Sequence, residues 1–407
     1  MRIPIYLAVG ALLVRATEAQ VPPPIPLRTL GTILATGTSP VGALVDIRPL
    51  SDGRVLVNDP QKRQLLLYDA SLSNPIVVAD TTSSTQKAYG KGGASITPYL
   101  ADSTLFIDQT SLAVLVVDPS GKIARTFAVP RAADITFMTR PTVYGNPGFD
   151  GKSGLIYRKP VLSLAAPRGA GAPVTMRQDS AFIVRADIAT HAIDTIGAIR
   201  LSGSNTTTTI GADGRISTKR IMNPVPTVDD WTVASDGSVA LIRGGDFHID
   251  WVSPDGTKSS SPRIPFDWKH LTDSAKAAMI DSIKAIYAAE PESLTTTVDG
   301  VKRTIARPPI PDVVEPSELP DYMPPFGPVL PPFFVARADA DGNVWIPING
   351  PGLRRTPAYD VVNRKGALVD RIQLLPGFTL LGFGPGVVYV SSRNDQGVGV
   401  LSRVRIH

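Results

Sequence analysis

Two aspartates, Asp46 and Asp230, carry the most suggestive chemistry in this 407-residue chain. Each stands at the same offset before a Ser-Asp-Gly turn, Ser51-Asp52-Gly53 in one case and Ser235-Asp236-Gly237 in the other. Aligning the related segments on their turns puts Asp46, Ile96, Tyr144, Asp230, Val335 and Thr379 in one column. The column two residues on holds Arg48, Pro98, Asn146, Thr232, Arg337 and Leu381. Two carboxylates facing one cavity suit a hard cation such as calcium, which takes about six to eight oxygen ligands. Two carboxylates among arginines suit a different task, because a buried charge needs a counter-charge or backbone N–H groups to offset its desolvation. The columns offer two acids, no glutamate and one asparagine, a short set for calcium.

Other candidates sit near the second aspartate. Three of the four tryptophans follow an aspartate, at Asp230-Trp231, Asp250-Trp251 and Asp267-Trp268. An aromatic face beside a carboxylate suits a sugar or a cationic ligand, while tryptophan is also an ordinary packing residue. Arg243, Asp246 and His248 cluster within a few residues, as pocket lining or as a solvated turn. The candidate ligand-binding set is therefore Asp46, Arg48, Tyr144, Asp230, Trp231, Arg243, His248 and Arg337. In the alternative metal reading, Asp46 and Asp230 are the calcium ligands. Otherwise no cofactor is expected.

Composition removes several classes. The chain has no cysteine, hence no disulfide, thiolate metal site or cysteine nucleophile. Its four histidines have no ligand spacing on one element. No nucleophile elbow, HExxH, P-loop or dinucleotide fingerprint occurs. The net charge is +5, but the cations are scattered, so no phosphate-binding tract is expected and no nucleic-acid partner.

The elements that must position these residues form a repeat of about fifty residues. Each unit has an apolar strand, a tight turn, a second apolar strand, and a third and fourth joined by another turn. The first turns are Ser51-Asp52-Gly53, Ala101-Asp102-Ser103, Phe149-Asp150-Gly151, Ser235-Asp236-Gly237, Ala340-Asp341-Gly342 and Gly384-Pro385-Gly386. Asp-Gly between apolar runs predicts a hairpin with a type I′ turn. Four short strands per unit is the content of a propeller blade. The sixth unit ends after three strands, and Leu27–Leu34, left over at the start, supplies the fourth. The fold class expected is all-β, a six-bladed β-propeller over residues 27–407 closed by an N-terminal strand; a β-sandwich pair is the competing architecture.

The segment Val45-Asp46-Ile47-Arg48-Pro49-Leu50-Ser51-Asp52-Gly53-Arg54-Val55-Leu56-Val57, with the turns at 235–237 and 340–342, resembles six-bladed propellers of the NHL-repeat-like, exported bacterial type. The resemblance spans the repeats and implies a fold, not an activity. The facing carboxylates also resemble the site of metal-dependent lactonases of six-bladed type, which would fall on Asp46 and Asp230.

In such a ring, successive connections alternate between the two faces of the disc. All long insertions fall on one face: Asp80–Ala94, Pro130–Asn146, Val161–Asp179, Leu201–Val228, Pro265–Pro332 and Asn349–Ala358. Thr206–Ile221 reads as an extra hairpin around Asp213-Gly214. Residues 265–332, between blades 4 and 5, combine a helix over Asp273–Glu290 with a proline-rich segment. The helix has Ala275, Ala278, Met279, Ser282, Ile283, Ile286 and Tyr287 on one face. Eleven prolines between 291 and 333 predict an extended strap. At the N-terminus, Arg2, the apolar run Ile3–Val14 and Ala19 before Gln20 match a secretory signal over residues 1–19, and no later run is long enough to span a bilayer. The functional expectation is a monomeric binding or scaffold propeller, periplasmic or extracellular, taking a peptide, glycan or protein ligand on its decorated face. A metal-dependent hydrolase, lactonase or lyase with its site at the channel mouth is the alternative.

Overall fold

A computed structural model describes residues 25–42, 46–161, 163–165, 174–210, 216–289, 291, 293–298, 301–306, 312–327, 335–348, 358–394 and 397–406. The expected leader, the loop at 349–357 and the end of the strap at 328–332 lie outside them.

The chain folds into six sheets, antiparallel through the four core strands of each, that form the blades of a β-propeller. Blade 1 comprises Asp46–Pro49, Val55–Asp59, Gln64–Tyr68 and Ile76–Ala79; blade 2 comprises Ala94–Pro98, Thr104–Asp108, Ala113–Val117 and Ile123–Ala128. The inner part of blade 3 is Gly148–Phe149, Gly154–Pro160, Val174–Asp187 and Ile193–Ile210. Blade 4 is Asp230–Val233, Val239–Arg243, His248–Val252 and Lys258–Ser260. Arg337–Ala338, Val344–Pro347, Ala358–Val362 and Leu368–Gln373 make blade 5, and Thr379–Gly384, Val387–Arg393 and Gly399–Arg405 begin blade 6.

The middle strands are unbroken apolar runs because both of their faces are covered. In blade 1, Val55 and Val57 pack toward blade 6 against Tyr389 and Leu401. Leu56, between them, packs toward blade 2 against Phe106 and Leu115. A strand's period of two sends alternate residues to opposite boundaries. Four more apolar clusters follow this rule, between blades 2 and 3, 3 and 4, 4 and 5, and 5 and 6, giving one per boundary. As many boundaries as blades means a closed ring.

Closure differs in detail from the expectation over Leu27–Leu34. The fourth strand of blade 6 is Ile33–Thr36, antiparallel to Gly399–Arg405, with Ile33 opposite Val404 and Thr36 opposite Ser402. Leu27–Thr29 instead adds a fifth, parallel strand to blade 5, where Arg28 pairs with Asp370 at 2.8 Å. One N-terminal segment thus fastens two blades.

The turns also differ. At Ser51-Asp52-Gly53, Gly53 N–H donates to Leu50 O and Leu50 N–H to Arg54 O, with Gly53 alone at positive φ (87°). This is a three-residue loop ending in a glycine bulge, not type I′. The copy that lacks glycine holds both central residues at positive φ, Ala101 at 52° and Asp102 at 59°. Recurrent aspartates close other turns by accepting N–H groups two and four residues on, as Asp118 does from Ser120 and Lys122.

The insertions are more ordered than a strap. Ile193–Ile210 pairs with Ile216–Met222, the expected extra hairpin, which continues the outer strands of blade 3. Ser293–Val298 pairs with Val301–Ala306, so the first part of the proline-rich segment is a hairpin rather than extended chain. The helix runs Asp273–Ala289, but its buried face is Lys276, Ile280 and Ile283, while Ala275, Ala278 and Ser282 are exposed. Sequence periodicity placed the stripe one step round because Lys276 looked polar; its Nζ is buried and bonds Asp321 at 2.8 Å. The helix packs on Val225, Leu319, Val314 and Met323, a small core shared with the return chain.

Thr36 and Ser402 are a pair without mutual backbone bonds, since Gly37 N–H bonds Leu401 O in the next position. In a chain without other cysteines, the double variant Thr36→Cys/Ser402→Cys should form one disulfide on oxidation and stabilise the ring by roughly 2–4 kcal/mol. Thiol titration after oxidation and thermal unfolding of oxidised against reduced variant measure this; two thiols that stay free in the folded, oxidised protein would contradict end-to-end closure.

Candidate functional site

The innermost strand of each blade has one edge without a ladder partner, so its N–H groups need other acceptors. Asp46 and Asp230 supply them across blade boundaries. Ile96 N–H of blade 2 donates to Asp46 Oδ2 at 3.1 Å, and Ala336 N–H beside blade 5 donates to Asp230 Oδ2 at 2.7 Å. Asp230 Oδ1 also accepts from Trp231 N–H at 2.8 Å, and Thr232 Oγ1 accepts from Ala338 N–H at 3.2 Å. The equivalent placement seen in the sequence columns is therefore an equivalent job in blades 1 and 4.

Burial dominates the electrostatics of both acids. It pushes the carboxyls of Asp46 and Asp230 up to about 6, against the backbone N–H groups and the guanidinium of Arg337, which favour the charged forms. Arg337 stands on the innermost strand of blade 5 and acts on both acids. Its Nη1 and Nη2 (the latter at 3.3 Å) donate to the side-chain oxygen of Asn146 in the amide orientation that satisfies both groups. Asn146 precedes the first strand of blade 3, which is not a neighbour of blade 5, so this bond crosses the channel. Arg158 adds a second cation, acting on Asp230. Its Nη2 donates to Val143 O and its guanidinium lies 5.5 Å from the centre of the Tyr144 ring. Tyr359 is buried beside Arg337, and burial pushes its hydroxyl pKa up.

The structure thus gathers Asp46, Asp230, Arg337 and Tyr144 around one channel, with Asn146 and Arg158. It places the other candidates elsewhere. Arg48 turns toward the plain face, where its Nη2 bonds Asp102 Oδ1 at 2.8 Å and Asp102 Oδ2 accepts from Ser51. Trp231 is buried between blades 3 and 4, its Nε1 donating to Tyr144 O at 3.3 Å. Its ring lies so close to Gly145 that a Cβ there would stand 2.8 Å from Nε1.

Arg243 and His248 face each other across the second and third strands of blade 4 and belong to a rim cluster. Arg243 donates to Asp250 Oδ2 at 2.8 Å and Asp229 Oδ2 at 3.0 Å. His248 sits between Asp246, 2.7 Å from Nδ1, and Asp250, 3.2 Å from Nε2. Burial raises the pKa of Asp250, but Ser260 and Arg243 outweigh it and hold the group low. Asp229 and Asp230 are consecutive and serve two sites, one at the rim and one in the channel.

Neither set suits a hard cation. In the channel two carboxylates already accept backbone N–H groups and share a guanidinium, and among the described residues no group of three or more His, Asp or Glu is arranged to hold a metal. Sequence reasoning passed over Arg158, Tyr359 and Asp229, and singled out Asp250 only as the neighbour of Trp251. The signal for Arg158 was the break it makes in the apolar run Leu155-Ile156-Tyr157.

Because folding raises the pKa of Asp46 and Asp230, protonation favours the folded chain. Their contribution is whole below pH about 4 and is lost as pH rises through about 6. Asp46→Asn keeps an acceptor for Ile96 N–H without the charge. Relative to wild type, its stability in urea unfolding should improve by roughly 2 kcal/mol between pH 4 and pH 7. A difference that does not change with pH would refute the assignment.

No protein-family model matches the chain, and no curated protein matches it. In fold it is similar to a member of the DUF4221 family from Bacteroides vulgatus, at 10% identity over 94% of this chain and 96% of that one, with a TM-score of 0.43. It is also similar to virginiamycin B lyase from Staphylococcus aureus (9% identity, 92% and 99% covered, TM-score 0.34) and to a gluconolactonase from Xanthomonas campestris (10% identity, 94% and 98% covered, TM-score 0.36).

Proposed function

We propose that this chain is an exported, NHL-repeat-like propeller that works as a binding or scaffold module, taking a peptide, glycan or protein partner on its decorated face. The observation that carries this reading is the second layer built by the insertions. The helix Asp273–Ala289 and the return chain share their own core of Val225, Ile280 and Leu319, anchored on blade 4 through Phe326 and Phe266 against Phe247. Loops that only reconnect strands have no need of such a core. The layer also holds aromatic rings out toward solvent: Trp268 is 37% exposed and braced by Phe266, and Tyr322 is 49% exposed and braced by His270. Rings with exposed faces on a rigid base suit sugar or peptide contact. The reading as a metal-dependent hydrolase or lyase loses support from the donor set in the channel. Among the described residues no helix is long and apolar enough to cross a membrane.

Export is tested by expressing the full chain in a bacterium and sequencing the N-terminus of the protein recovered from the periplasm. The expected first residue is Gln20; full-length protein confined to the cytoplasm would overturn the export reading. Binding is tested on glycan and peptide arrays. Trp268→Ala with Tyr322→Ala should abolish the wild-type signal, while the melting temperature stays within about 2 °C because both rings are surface groups. Arrays silent for wild type, or a signal that survives the double variant, would sink it.

A further inference from the structure

We propose that the channel mouth is a separate binding site for a small zwitterion, an amino acid or similar molecule bearing one carboxylate and one ammonium group. The argument begins with Arg337. Its hydrogen bonds go to the neutral amide of Asn146, and among the described residues no carboxylate lies within ion-pair distance of it. A guanidinium has five N–H donors in a planar fork matched to a carboxylate, and a neutral amide leaves much of that fork unspent. Arg158 gives the second sign of an unmet need: its Nε is buried with no hydrogen-bond partner, while Nη2 is taken by Val143 O and the ring of Tyr144 holds its plane. Native structures seldom leave a buried donor unpaired without reason.

The opposite sign is supplied by Asp46 and Asp230. Each accepts backbone N–H bonds at 2.7–3.1 Å, but a carboxylate has about four lone-pair positions and retains capacity for an ammonium group. Two carboxylates and two guanidiniums leave the local charge balanced, so a ligand that is itself balanced enters without a net electrostatic penalty. A free divalent cation meets the guanidiniums, and a polyanion meets the aspartates. The side chains of Asp230, Arg337, Asn146, Tyr144 and Arg158 are all half-buried, within reach of solvent. This site is distinct from the aromatic layer on the decorated face, and neither needs the other.

Isothermal titration of the whole protein with free alanine, glutamine and phenylalanine, beside the N-acetyl and C-amide forms of each, reads the proposal. At least one free amino acid should bind, and capping either end should weaken it by about tenfold or more, the loss of one charge-assisted contact. Arg337→Met should abolish binding. Asn146→Asp serves as the second variant in case the first does not fold: it offers Arg337 an internal carboxylate, so it should fold and yet lose the ligand. No binding across the panel at millimolar concentration, capped forms that bind as well as free ones, or an Asn146→Asp protein that binds like wild type would each overturn the proposal. Array binding on the decorated face is scored on separate variants, so failure of one reading leaves the other standing.

Discussion

Closure of the ring is the constraint from which the rest of this structure follows. A blade buries its two faces only against two other blades, and an open row would leave two faces bare. Here every boundary has an apolar cluster, including the one between the first blade and the last, where Val55, Val57 and Leu66 meet Tyr389 and Leu401. That boundary depends on Ile33–Thr36 reaching the far end of the chain at Gly399–Arg405. A contact this distant in sequence carries a high loop-closure cost, and the two-blade hold of the N-terminal segment, with Arg28 on Asp370, offsets part of it.

A closed ring creates a second demand along its axis. The innermost strands present unpaired edges to the channel, and the chain meets part of that demand with side chains. Asp46 and Asp230 do so at the cost of holding charge in a buried place. Arg337 and Arg158 follow from that choice, since an uncompensated pair of carboxylates would repel itself and the fold around it. The residues that bind blade to blade are therefore the same ones that give the channel its polarity. Truncating any one of them therefore bears both on the joint between blades and on the charge of the channel.

The decorated face is governed by different physics. Its helix and hairpins lie outside the ring and cannot draw on the boundaries between blades, so they rely on a small core of their own and on the Phe247 anchor. Phe247 is fully buried at a positive φ of 51°, a conformation uncommon for a non-glycine residue, and its ring meets both Phe266 and Phe326. The turn that carries it is flanked by Asp246 and His248 of the rim cluster. Packing under the insertion and charge at the rim are fixed by three consecutive residues.

The sequence by itself determined the strands, the places of the turns between them, the blade count and the opposition of Asp46 and Asp230, because apolar strands and tight turns are local signals repeated six times, four of those turns carrying Asp-Gly. It also determined that the long insertions share a face, since that follows from strand parity alone. Only the tertiary structure decided that Leu27–Thr29 leaves blade 6 for blade 5, that Arg48 turns away to Asp102 while Arg337 crosses to Asn146, and that Lys276 lies on the buried side of its helix. Arg48 and Arg337 occupy one column and differ in neighbours, not in local sequence. Where a long side chain ends is set by partners hundreds of residues away, and no pattern within a blade encodes them.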